Sequence, residues 1–147
     1  MAGSSLIEVA EAVKVQLNAT TFSQSFTAVR KSSVHPDLKD LADGLNVFVV
    51  PVAERSASSG RKTTQHEYDV AIGIAQHVTS DANSVIDPLT LLSEEISDFL
   101  RFETLTGRSE RWIKGQIVPY MTTAIREQNL FLCTITMTFI GTRPEQQ

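Results

Sequence analysis

The chain has 147 residues, 41% of them apolar and 20% charged, and its 13 basic against 17 acidic side chains leave a net charge of −4. That length suits one domain with its own core, and the acidic balance argues against a protein whose main task is gripping a nucleic-acid backbone. No apolar run approaches the roughly 20 residues that cross a bilayer, and the single Cys133 allows neither an internal disulfide nor a cysteine-based zinc site.

The first residues lack a basic stretch followed by an apolar one, so no signal peptide is expected. Ser5-Leu6-Ile7-Glu8 has capping-box spacing. Leu6, Ala10, Val13 and Leu17 follow on one stripe opposite Glu11 and Lys14, predicting a packing helix that ends near Asn18. Asn18-Ala19-Thr20 matches a glycosylation acceptor, a match read as chance without export. Thr20 to Arg30, with Phe22, Phe26 and Ala28 at even positions, reads as a strand exposed on one side. Val34 to Leu41 suggests a short helical turn entered after Pro36 and closed by Gly44.

Leu45 to Val78 then forms the organising feature, a β-hairpin. Leu45 to Val52 is rich in β-branched and aromatic residues, and Pro51 marks an edge or a ladder end. In the second strand Tyr68, Val70, Ile72, Ile74 and Val78 alternate onto one face, and Glu67, Asp69, Ala71, Gly73, Ala75 and His77 onto the other. Between the strands, Ala53 to Gln65 has the composition of a flexible linker and carries Arg55, Arg61 and Lys62, which predicts a long basic loop at the tip.

Asp87-Pro88 reads as an N-cap followed by proline at the first helical position. Leu89, Leu92, Ile96, Phe99 and Leu100 supply the apolar face of a helix to about Phe102. Trp112 to Met121 is a strand interrupted at Gly115 and Pro119, and Ala124 to Asn129 a turn. Leu130 to Ile140 is the strongest strand. Its Phe131, Cys133, Ile135, Met137 and Phe139 face one way, and Leu130, Leu132, Thr134, Thr136, Thr138 and Ile140 the other. Gly141 to Gln147 is a polar tail, expected to fray. The order predicts a single α+β domain over residues 1–147, with a mainly antiparallel sheet of about five strands and two principal helices on one side.

Chemistry-bearing motifs are weighed against plainer readings. Gly60-Arg61-Lys62-Thr63 lacks the earlier glycine and following helix of a phosphate loop, which leaves a solvated basic loop. His35, His66 and His77 have no metal-site spacing. Glu94, Glu95 and Asp98 fit a solvated helix face, Ser58 and Ser59 sit in no nucleophile elbow, and Cys133 lies on an inward strand face as an inert thiol. No catalytic group, metal site or cofactor site is expected, and the chain is read as a non-enzyme.

Across Leu6 to Phe139 the pattern resembles phage tail-terminator or head–tail neck proteins. The resemblance rests on Pro36 to Leu41, on Leu45 to Pro51 with the arginine-bearing loop, on Tyr68 to Ile74 and on the Leu89 to Leu100 helix. It implies an α+β virion subunit, assembled in the host cytoplasm, that forms a ring, commonly hexameric, at the head-proximal end of a tail tube. Such a ring ends tube polymerisation and joins tail to neck. The implied partners are further copies of the chain, the tail tube protein, a neck or stopper protein and double-stranded DNA passing non-specifically through the opening, with no membrane. Arg55, Arg61 and Lys62 become lumen or inter-subunit residues, and Leu130, Leu132, Thr134, Thr136 and Ile140 a candidate interface strand. The competing readings are another head–tail completion or stopper protein, or a small-molecule module using Asp69, His77 and Arg30.

Overall fold

The computed structural model describes residues 5–32, 44–60, 63–77, 83–102, 105, 108, 110–120 and 130–144. The fold is α+β. Helix α1 spans Ser5–Asn18, strand β1 Ala28–Arg30, β2 Asn46–Gly60, β3 Thr63–His77, helix α2 Asn83–Phe102, β4 Arg111–Tyr120 and β5 Leu130–Pro144. The strands form one sheet in the order β1-β2-β3-β5-β4. Only β1 and β2 run parallel; the other three pairings are antiparallel, which makes the sheet mixed.

Both helices cover the same face. α1 packs on β1, β2 and β3, and α2 on β4 and β5. Beneath them Val47 and Val49, Tyr68 to Ile74 at even positions, and Phe131 to Phe139 at odd positions join Val13, Leu17, Leu92, Ile96 and Leu100 in one apolar core. These strand side chains fall opposite one another in register, as with Val49, Ile72 and Ile135. The period-two alternation of β3 and β5 therefore dictates which face receives the helices.

α1 occupies the range its capping box and stripe predict. α2 begins at Asn83, earlier than the expected start at Asp87, and holds Pro88 within its second turn. A proline this near the N-terminus removes at most one helical hydrogen bond, so the turn before it survives. The expected strand from Thr20 contracts to Ala28–Arg30. Its aromatics instead build a small cluster in which Phe22 stacks on Phe26 and meets Phe99 of α2 edge-on, with ring centroids 5.5 Å apart in each pair. Asn18 fixes the return: its Oδ1 accepts from the Ala28 N–H at 2.7 Å and its Nδ2 donates to the Ala28 carbonyl at 3.1 Å. Gly44 has a φ of +89°, the left-handed conformation expected of it. The turn from Val34 to Leu41, Val78, and the turn from Ala124 to Asn129 lie outside the described residues.

The loop expected over Ala53 to Gln65 is mostly paired strand. Ala53 pairs with Asp69, Arg55 with Glu67, Ala57 with Gln65 and Gly60 with Thr63. A linker-like composition did not prevent pairing, because β3 is held on its other side by β5 along its whole length. The expected tail also pairs in part, since Gly141 to Pro144 continue β5 against His66 to Thr63.

Candidate functional site

The side chains with chemistry gather on the sheet face away from the helices, where β2, β3 and β5 run on together. A bulge at Val52 decides this. Pro51 pairs with Val70 and Ala53 with Asp69, so β2 spends an extra residue there and its alternation flips. Without the bulge, Arg55 would point to the helix-covered face. With it, the Arg55 guanidinium lies across two carboxylates, at 2.5 and 2.9 Å from Asp69 and 3.1 Å from Glu67. Thr138 Oγ1 donates to Asp69 Oδ1 at 2.6 Å. A second bulge, between Trp112 and Lys114, brings Lys114 of β4 opposite Thr138 on the same face.

The Arg55 guanidinium, then the Thr138 hydroxyl and the charge of Lys114, hold the Asp69 carboxyl below the usual carboxylate range, against the opposing effect of burial. Asp69 and Glu67 in turn raise the Arg55 pKa further above its ordinary value. The arrangement is a polar ladder across three strands. It neutralises Arg55 instead of presenting a free cation.

Arg55 therefore stands on a strand within ion pairs, not on a loop, while Arg61 and Lys62 lie outside the described residues. Of the candidate interface strand, Leu132 is 3% exposed and Thr134, Thr136 and Ile140 are half-buried. Leu130 pairs with His77, and its side chain lies outside the described residues. Phe48, Val50, Ala71 and Ala75 share that face and are also buried, so the apolar part of the outer face is enclosed within the chain. Lys31 Nζ stands 5.8 Å from the centre of the Phe48 ring.

Asp69, His77 and Arg30 do not converge. Arg30 turns to the helix side and bonds Glu11 at 2.6 Å. His77 lies eight residues along β3 from Asp69, about 26 Å at strand spacing. On α2, Glu95 accepts from the Ser23 hydroxyl and, at 3.2 Å, from its N–H, while Asp98 pairs with Arg101. Burial pushes the Cys133 thiol up, as an inward cysteine should be. Among the described residues no group of three or more metal-binding side chains occurs, and no helix is long and apolar enough to cross a membrane.

Sequence reasoning missed a second polar cluster. Arg108 reaches Glu110 at 2.5 Å and Glu8 of α1 at 2.9 Å. Glu110 is 7% exposed and sits beside Gly141, where any added Cβ would press on its side chain. The cluster ties α1 to the entry of β4 beside the arm. The sequence offered only the spacing of an arginine two residues before a glutamate, with nothing to show that Glu8 would join them.

No family model matches the chain, and no curated protein matches it. Among solved structures it is similar to the sheath/tube terminator of an extracellular contractile injection system, PVC, in its extended state. The TM-score is 0.48 and the identity 14%, with 100% of this chain and 60% of that chain covered. The chain thus spans less than two thirds of that protein's length.

Proposed function

We propose that this chain is a structural subunit that caps the head-proximal end of a phage tail tube as a ring, six-membered by the family pattern, and joins the tail to the neck. The observation that supports this reading is the arm. Beyond Val49 no described strand flanks β2, and beyond Ile140 β4 no longer flanks β5, so the sheet narrows to a three-stranded ribbon of β2, β3 and β5. The Arg55 ladder stiffens the base from which the ribbon projects, where β4 still flanks β5, and β2 stays largely exposed beyond it. A ribbon that covers none of its own core fits a part that reaches a neighbouring subunit. On this reading the chain is not an enzyme, and its partners are its own copies, the tube protein and a neck component. Arg55, neutralised by its carboxylates, adds no net positive charge for passing DNA.

The test is tube growth with and without the chain. Purified tail tube protein polymerised in its presence should give shorter tubes with density at one end in electron micrographs. Unchanged tube lengths with no end density would overturn the reading.

A further inference from the structure

We propose that Glu110 and Arg108 form a latch that holds the arm at one angle to the helix layer, and that the tie from this latch to Glu8 of α1 opens without unfolding the core. The inference concerns the free chain and stands apart from the ring reading.

The arm begins where β4 stops flanking β5. Arg111 lies opposite Ile140, so the first level of the arm is Gly141 of β5, with His66 of β3 beside it and Ser56 of β2 next across. Gly141 alternates with Phe139 and Met137, and a Cβ there would point to the helix side. That Cβ would meet Glu110 Cγ at 2.9 Å, which places the Glu110 side chain over the first level of the arm. His66 is 9% exposed and stacks on Tyr68 of the core, with ring centroids 6.1 Å apart and planes inclined at 12°. The arm is thus rooted on its helix side by a stacked imidazole and a buried carboxylate.

Arg108 supplies the counter-charge. Its Nε and Nη2 donate to the two Glu110 oxygens at 2.9 and 2.5 Å, and its Nη1 donates to Glu8 at 2.9 Å. The two pairs differ in exposure. The Glu110 side chain is 9% exposed and that of Glu8 39%. Breaking the first pair leaves a carboxylate buried without its partner, whereas solvent screens the second. The first pair therefore holds, and the second is the one that gives way. When it opens, the strand pairing of the arm persists but its tether to α1 is lost, so the arm turns as a unit.

The experiment uses the full chain with spin labels on Val15→Cys of α1 and Ala57→Cys of β2, both exposed positions. Cys133 is buried and takes no label. Labelled chain diluted into unlabelled chain reports distances within one copy, and their distribution reads the angle of the arm. It should be narrow in this background. Glu8→Ala, which cuts the tie to α1, and Gly141→Ala, which displaces Glu110 without removing a charge, should each broaden it. Ser5→Ala, which removes the helix cap alone, should leave it narrow. A width unchanged by either of the first two variants overturns the latch, as does a distribution already broad before them. Equal broadening by Ser5→Ala would trace the motion to fraying of α1 and overturn it too. Amide exchange at Ile72 and Ile135 should be the same in every variant; faster exchange there would show the core opening and overturn the claim that the arm turns alone.

Discussion

The two halves of the hairpin are held by different physics. Toward the helices, Val49, Ile72 and Ile135 stack in register with 0% exposure, and burial of apolar surface dominates. Toward the tip, Arg55, Glu67, Asp69 and Thr138 do the corresponding work across the same strands, from a half-buried outer face, through charge-assisted hydrogen bonds. The first arrangement fixes the fold tightly. The second fixes only a direction for the arm.

Substitutions should separate the halves. Ile72→Ala, in the apolar half, should cost about 2–5 kcal/mol, read as a lowered midpoint in urea. Gly73→Val tests the outer side of the same half, where Phe48 lies over the glycine and an added Cβ would come within 2.3 Å of its ring. Phe48 is itself 1% exposed and has little room to move. Overpacking there should cost about 1–3 kcal/mol; an unchanged midpoint would show that the ring can swing away. In the polar half, Asp69→Ala should cost only about 1 kcal/mol, because Arg55 is half exposed and keeps Glu67 as a partner.

The pH dependence sharpens the contrast. Asp69 has a folded pKa below its unfolded value, so its contribution is present above about pH 4 and is lost as pH falls through the lower folded value. Glu11, lowered by Lys14 and Arg30, acts in the same direction. Asp69→Asn should therefore flatten the acid limb of the stability curve, whereas Ile72→Ala should shift the whole curve downward without changing its shape. Smallest of all, Ala57→Lys, at an exposed position of β2, should alter the urea midpoint by the equivalent of no more than about 0.5 kcal/mol.

Much of the apolar half was legible in the sequence. Alternation at Tyr68 to Ile74 and at Phe131 to Phe139, and the stripe at Ala10, Val13 and Leu17, report burial directly, because side-chain direction follows from backbone period. The polar half was not legible. Arg55 looked like a loop cation, since Ser56 to Gly60 has no strand propensity of its own and pairs only because β3 is already held by β5. Pro51 marks irregular pairing beside Val52 but not its kind, and the bulge there turns Arg55 from the helix side to the outer face.

The sequence by itself determined the helices, the two inner strands, their inward faces and the inward position of Cys133, all consequences of local period and composition. Only the tertiary structure decided how far the hairpin extends, that β1 joins in parallel, and that Arg55 meets Asp69. Those depend on register between segments distant in the chain, and register is set by what lies across the sheet.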